Sequence, residues 1–244
     1  MKRIIDISKY NTVNFKQLKV DAVIIRAGSG RKGIDPKFAE HINSAIAAGL
    51  PIGIYFFSYA YTEAMAREEA KKCLEYIRPY QKNIMLPVFF DWEYDSADWA
   101  KRNGVTPTKK FVTRLTKVFC DEIRKAGYKT GFYYNEDYRR HYYDLDALKG
   151  FYRWYARYTS AKQTDCDIWQ YTEDGRIAGA EGSVDLNYLV NEELLPEHRK
   201  KTVTALAKEV IAGKWGNGAE RKRRLTEAGY DYDKVQAKVN AMLK

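Results

Sequence analysis

Over the first 190 residues, short runs rich in β-branched and aromatic residues alternate with longer stretches whose apolar residues recur every three or four positions. The strand candidates are Arg3–Ile7, Ala22–Arg26, Pro51–Tyr59, Met85–Glu93, Tyr128–Tyr134, Tyr152–Tyr158, Asp167–Tyr171 and Val184–Leu189. The amphipathic stretches between them include Pro36–Ala48, Glu63–Ile77 and Thr108–Ala126. Gly49 and Gly127 follow two of these, where a helix ends in a left-handed conformation that glycine adopts without strain.

Such alternation implies a parallel sheet with crossover helices, and eight strands close as a barrel of the triosephosphate-isomerase type. The last three strands are joined by connections too short for regular helices. The expected fold class is therefore α/β, an incomplete TIM-like (β/α) barrel with eight strands and fewer helices. A doubly wound open sheet is the runner-up, disfavoured because no Gly-rich phosphate loop follows the first strand.

Near residue 191 the texture changes. The segment Asn191-Glu-Glu-Leu-Leu-Pro-Glu-His-Arg-Lys-Lys201 is charged, contains a proline and reads as a linker. Beyond it, Val203, Leu206, Ala207, Val210 and Ile211 repeat at helical spacing up to Gly213. The turn Trp215-Gly-Asn-Gly218 leads to a second helix around Ala219–Ala228, capped by Gly229. A third starts near Asp233 and runs through Val235, Val239 and Met242. The expected domains are a barrel over 1–192, a linker over 193–202 and a small three-helix domain over 203–244. So short a domain has a marginal core, and Trp215, Tyr230 and Tyr232 are expected to pack inward.

Composition narrows the class. With 45% hydrophobic and 30% charged residues among 244, the chain is an ordinary globular protein rather than a disordered one. Its longest nearly apolar run, around Pro51-Ile-Gly-Ile-Tyr-Phe-Phe57, falls well short of the ~18 residues of a membrane span, so no membrane insertion is expected. The N-terminus is basic but reaches Asp6 at once, and no signal-peptide core follows. Synthesis in the cytoplasm without export by the usual route is the corresponding expectation. Cys73, Cys120 and Cys166 are odd in number and lack CxxC spacing, which suggests buried thiols rather than disulfides or zinc. His41, His141 and His198 are equally scattered, so no metal and no cofactor are expected. The net charge of +10 is uneven: residues 197–244 hold 12 Lys and Arg against 6 Asp and Glu. A basic tail on a nearly balanced body suits a polyanionic partner or a charged surface. Twenty tyrosines, twice the number of phenylalanines, suit a polar ligand that can be stacked upon, such as a sugar.

The sharpest chemical signal is Phe90-Asp91-Trp92-Glu93. It ends an apolar strand, and a period of two places Asp91 and Glu93 on one face. In a parallel barrel, carboxylates at the C-terminal end of a strand lie where active sites are built. Repulsion between neighbouring acids, against an apolar wall, separates their proton affinities, as glycoside hydrolysis requires. Asp6 closes the first strand and Asp185 lies in the last. If the sheet closes, these strands are neighbours and all four acids share one mouth. Tyr55, Tyr59, Tyr133 and Trp154 sit at or near strand ends and are candidates for stacking on sugar rings, with barrel packing as their alternative use.

Asp6-Ile-Ser8, Asp91-Trp-Glu93, Phe132-Tyr-Tyr-Asn135, Trp154-Tyr-Ala156, Ile168-Trp-Gln-Tyr171 and Val184-Asp-Leu-Asn187 occur in this order. Together they resemble glycoside hydrolase family 25, the muramidases. The resemblance covers roughly residues 1–190. It implies cleavage of the β-1,4 bond between N-acetylmuramic acid and N-acetylglucosamine in bacterial peptidoglycan. It also implies Glu93 as general acid, with Asp6, Asp91 and Asp185 shaping charge, orientation and nucleophilic assistance. Asp91-Trp-Glu-Tyr94 also echoes the family 18 chitinases, but the upstream positions Leu86, Pro87 and Phe89 are apolar where those enzymes carry acids.

The tail, from Ala205-Leu-Ala-Lys-Glu-Val-Ile-Ala-Gly-Lys-Trp-Gly-Asn-Gly218 to Asp233, is similar to the cell-wall-binding type 7 repeat of phage lysozymes. The implied partner is again bacterial peptidoglycan, with Arg221, Lys222, Arg223 and Arg224 adding attraction to anionic surfaces. A two-module bacteriolytic enzyme of the phage endolysin kind is the expectation, made in the host cytoplasm and acting at the wall. A bacterial autolysin and a catalytically inactive peptidoglycan-binding protein are its alternatives. A nuclease holding Mg²⁺ in the acid cluster is a third reading, separable with a chelator; nucleic acid is not the expected partner. The sequence sets no oligomeric state.

Overall fold

The structure, a computed structural model, describes residues 1–195, 202–228 and 230–243. The chain forms two compact units, Met1–Leu194 and Leu195–Lys244. Most of the segment read as a linker, and the expected cap Gly229, lie outside the described residues.

The larger unit is a barrel. Its strands are β1 (Arg3–Ile7), β2 (Ala22–Ser29), β3 (Gly33–Ile34), β4 (Ile52–Phe57), β5 (Ile84–Asp91), β6 (Thr130–Asn135), β7 (Tyr152–Ala156), β8 (Ile168–Gly175) and β9 (Val184–Leu189). Neighbouring strands follow the order β1-β9-β8-β7-β6-β5-β4-β2, and β1 also pairs with β2, so eight strands close on themselves. The short β3 folds back on the end of β2 as a hairpin outside the ring. From β1 round to β8 the pairs are parallel, but β9 runs antiparallel to both β8 and β1. This departs from the all-parallel sheet that strand–helix alternation suggested. The short β8–β9 connection is a hairpin, and a hairpin reverses the chain.

Five helices lie in this unit: α1 (Phe38–Ala47), α2 (Glu63–Ile77), α3 (Tyr94–Arg102), α4 (Lys109–Lys125) and α5 (Glu136–His141). Thr62 and Thr108 cap α2 and α4, each hydroxyl accepting the backbone N–H three residues on. Gly49 and Gly127 follow α1 and α4 with φ of +69° and +87°. Alternation along the strands sorts the side chains. Ile5 and Ile7 join Val23, Ile25, Val88 and Phe90 in the core beneath the helices, so Ile4 and Asp6 point into the barrel. Gly131 leaves room there, because a Cβ would stand 2.1 Å from the Tyr152 carbonyl oxygen. Cys73, Cys120 and Cys166 are free and buried. Among the described residues, no helix is long and apolar enough to cross a membrane.

The smaller unit contains α6 (Val203–Ile211), α7 (Gly218–Glu227) and α8 (Tyr232–Met242). Leu206, Ala207, Val210, Leu225, Val235 and Val239 form its core, with Trp215, Tyr230 and Tyr232 packed against them. Thr202 and Asp231 cap α6 and α8.

Candidate active site

The four acids meet at one end of the barrel. Asp6 lies directly opposite Asp185 across the β1–β9 pair. Asp91 ends β5, beside Phe57 of β4 and Tyr133 of β6. The strand stops there, not at Glu93 as the hydrophobic run suggested. Trp92 turns into the outer core, its indole N–H bonded to the Ala60 carbonyl at 3.0 Å, and Glu93 becomes the N-cap of α3. The Glu93 N–H donates to Ser96 Oγ at 3.1 Å, which fixes where the helix begins. The turn therefore directs Glu93 toward Asp91.

Asp6 is the best-supported carboxyl. It is 5% exposed, and its Oδ2 accepts from Asn187 Nδ2 at 2.7 Å and from Gln170 Nε2 at 3.1 Å. Both amides are oriented by what they accept. Trp154 Nε1 donates to Asn187 Oδ1 at 2.7 Å, while the Tyr133 and Tyr158 hydroxyls donate to Gln170 Oε1 at 2.9 and 3.0 Å. With their oxygens occupied, the two amides present only N–H groups to Asp6. Asp185 supplies a further hydrogen bond.

Burial raises the proton affinity of all four acids. It lifts Asp6 above the usual carboxylate range, opposed by the bonds from Asn187, Gln170 and Asp185. Asp185 is pushed up to about 9, first by burial and then by the charge of Asp6. Asp91, 4% exposed, is held well above its ordinary value by burial and by the neighbouring Glu93 charge. Glu93 is raised to about 7 by burial, and its hydrogen bond with Asp91 acts in the opposite sense. The acids thus form two pairs, Asp91 with Glu93 and Asp185 with Asp6. In each, one carboxyl donates a hydrogen bond to the other, Asp91 to Glu93 and Asp185 to Asp6. Among the described residues no three His, Cys, Asp or Glu side chains are arranged to hold a metal ion.

The aromatic candidates divide. Trp154 is 2% exposed and walled in by Tyr133, Phe89 and Tyr55 at centroid distances of 4.8, 5.3 and 5.8 Å. Its rings pack the barrel, and what it offers the site is the N–H that aligns Asn187. Tyr55 is also buried, close enough to Asp6 and Asp91 for their charges to raise its proton affinity beyond the larger effect of burial. Tyr133 is half-buried above Trp154. Tyr59 packs tilted against Phe57, with ring centroids 5.2 Å apart, and lines a cavity of about 310 Å³ with Lys9, Tyr10, Arg26 and Asp35. In that wall Arg26 Nε contacts Asp35 Oδ2 at 2.6 Å.

Gln170, Asn187 and Tyr158 belong to the site, although sequence reasoning did not single them out. A signal was present for two of them. Asn187 is two residues from Asp185 in a period-two strand, and Gln170 faces it across the β8–β9 pair.

Comparison with known proteins places the chain in a family. The family model described as glycosyl hydrolases family 25 matches residues 5–180, and the chain belongs to that family. A second model, the CW_7 repeat, matches residues 204–243. The lysozyme of Streptococcus phage Cp-7 is 27% identical over 213 residues, covering 82% of this chain but only 58% of the phage protein. The structure of the catalytic domain of endolysin ply40, from bacteriophage P40 of Listeria monocytogenes, superposes with a TM-score of 0.67. It is 26% identical, over 80% of this chain and 97% of that one. The modular autolysin LytC from Streptococcus pneumoniae, solved with a synthetic peptidoglycan ligand, gives a TM-score of 0.65 at 28% identity. That match covers 76% of this chain and 46% of the autolysin.

Proposed function

We propose that the protein is an N-acetylmuramidase that cleaves the β-1,4 bond between N-acetylmuramic acid and N-acetylglucosamine and so lyses bacterial walls. In this reading it is a phage endolysin, made in the host cytoplasm and acting at the wall. The observation that carries the proposal is the convergence of Asp6, Asp91, Glu93 and Asp185, with Glu93 poised at about 7. A carboxyl that keeps its proton near neutrality can pass it to the departing glycosidic oxygen. Glu93 is assigned that role. Asp91 donates a hydrogen bond to it and restores the proton balance of the pair. Positive charge growing at the anomeric carbon needs a fixed negative partner, and Asp6 is the acid best furnished with donors to stay ionised. Asp185 orients Asp6 and the substrate. Tyr133 and Tyr59 are assigned to sugar contact on the strength of their partial exposure.

The proposed division of labour gives residues 1–192 the chemistry and 203–244 the grip on the wall, joined by 193–202. The basic residues of α7 support the second role unequally. Arg221 Nε binds the Gly216 carbonyl at 3.1 Å and its Nη1 binds Gln236 at 2.9 Å, so it braces the unit. Arg223 pairs with Glu227 at 2.8 Å. Mass spectrometry of fragments released from purified peptidoglycan tests the activity. Reducing N-acetylmuramic acid ends are expected; reducing N-acetylglucosamine ends, or no fragments, would sink it.

A further inference from the structure

The loop Ser58–Ala60, at the end of β4, holds no member of the acid cluster yet is bonded repeatedly to the segment that does. The Ser58 N–H donates to the Asp91 carbonyl at 2.7 Å. The Ser58 carbonyl accepts from Ser96 Oγ at 2.6 Å, and that hydroxyl in turn accepts the Glu93 N–H. The Ala60 carbonyl accepts the Trp92 indole. Wherever this loop sits, the backbone of residues 91–96 must follow.

What fixes the loop is a carboxyl from α2. Glu69 is 4% exposed, whereas Glu68 beside it is exposed. One Glu69 oxygen accepts the Ser58 hydroxyl and the other accepts the Tyr59 N–H at 2.9 Å. Ser58 Oγ also accepts the Ala60 N–H at 3.1 Å, so the loop is closed on itself around that hydroxyl. On the far side, Glu69 lies against Gly30 at the end of β2, where a Cβ would come within 1.8 Å of Oε1. A buried acid in a helix is an unfavourable choice for stability, since burial pushes Glu69 up to about 7, and an apolar residue would pack there without that cost. Its two oxygens match the two donors of one loop, and that loop is bonded to Asp91, Trp92 and Ser96, the segment that carries both Asp91 and Glu93.

We propose that Glu69 is a positioning residue of the active site, acting through Ser58 and Tyr59 to fix the backbone from which Asp91 and Glu93 project. The inference rests on the reading that these two acids perform the chemistry. Glutamine at 69 can still accept the Tyr59 N–H and donate to Ser58 Oγ, whereas alanine can do neither.

The test uses the full chain with soluble peptidoglycan fragments, measuring kcat and KM alongside thermal unfolding for Glu69→Ala, Glu69→Gln and Ser58→Ala. For Glu69→Ala, kcat should fall roughly ten- to a hundredfold, the scale of an ångström-sized misplacement, with any rise in KM through the released Tyr59 smaller than the fall in kcat. Glu69→Gln should restore kcat to within about threefold of the wild type, the loop's hydrogen bonds being kept. Ser58→Ala, which removes one of the two bonds, should fall between and carries the test if Glu69→Ala does not fold. A lower melting temperature with unchanged kcat in Glu69→Ala, or in Ser58→Ala, would overturn the proposal. So would equal losses in the Gln and Ala variants. A wild-type chain that releases no fragments overturns the muramidase reading itself, a separate outcome from an active wild type indifferent to residue 69.

Discussion

The two units of this chain handle polar groups in opposite ways. The barrel buries Asp6, Asp35, Glu69, Gln170 and Asn187 and gives their side chains internal partners, and it buries Asp91 with one carboxyl oxygen unbonded. In the helical unit, from Thr202 onward, every buried side chain among the described residues is apolar, and its charges sit at the surface in pairs such as Arg223–Glu227. The difference follows from size. Desolvating a carboxyl costs several kcal/mol even after relaxation. Only a unit with a large apolar core can tolerate several such groups and still fold. Chemistry that depends on shifted proton affinities therefore belongs in the barrel. Adhesion needs only a surface, which six core side chains can hold in shape.

If that division is correct, the largest effect comes from one proton. Glu93→Gln is nearly isosteric but cannot donate to a leaving oxygen. Fragment release should drop ~10²–10⁴-fold while wall binding and the melting curve are retained; near-normal rates would dissolve the contrast. The same group gives the pH dependence its sign. Glu93 is an acid raised to about 7, so it is protonated below that value and charged above it. Activity on soluble fragments should fall as pH rises past about 7, approaching tenfold per unit.

The next effect separates the units. Stopping the chain after Leu195 should leave hydrolysis of small soluble fragments unchanged. Lysis of intact walls should fall, because tethering raises the effective concentration of barrel at its substrate. Sedimentation with purified walls at rising salt sharpens this: attraction through the basic tail should weaken as the Debye length shrinks from ~10 Å at 0.1 M to ~3 Å at 1 M. Undiminished wall lysis by the truncated chain at every salt concentration would remove the helical unit's assigned role.

Smaller effects lie inside the barrel. Tyr133→Ala removes a half-buried ring and the hydroxyl that orients Gln170, so KM should rise severalfold with the fold intact. An unfolded variant would move Tyr133 to the packing side of the account. The smallest change should be a gain. Asp185, raised to about 9, holds in the folded state a proton that the unfolded chain has released at neutral pH. Its contribution to stability is thus fully present below the unfolded carboxyl's range near ~4 and is lost progressively as pH rises from there to about 9. Asp185→Asn abolishes that loss, so its melting temperature should exceed the wild type at pH 8 and match it near pH 4. Each kcal/mol gained is worth roughly 2–4 °C in a protein of this size.

Much of this contrast was legible in the sequence, because periodicity and charge are local properties. The position of Asp6 at the close of the first strand, with Asp185 in the last, put both acids at the mouth of a closed barrel, and helical spacing beyond Val203 outlined the small unit. What escaped depended on partners distant in sequence. Strand direction is not written in an apolar pattern, so the reversal of β9 was invisible. The short helices α3 and α5 are capped by Glu93 and Asn135, the first of which reads as the end of a strand and the second of which follows one directly. Gln170 and Asn187 look like ordinary polar residues until Trp154, Tyr133 and Tyr158 fix which way their amides point. Glu69 falls on the apolar stripe of α2 with Ala66, Ala70, Cys73 and Ile77, so helical spacing marks it as the buried one of the two adjacent glutamates; what the sequence does not give is the pair of donors, Ser58 and Tyr59, that it meets there.

The three cysteines have a consequence for the protein's chemical endurance. All are sealed in the barrel, and burial raises every one of their thiols, Cys120 and Cys166 to about 12. The reactive thiolate is therefore scarce at any ordinary pH. Oxidants, disulfide partners and thiol reagents meet no ready nucleophile on the folded barrel. The same fold can persist in reducing and in oxidising surroundings, with no cross-link to make or break on passing between them.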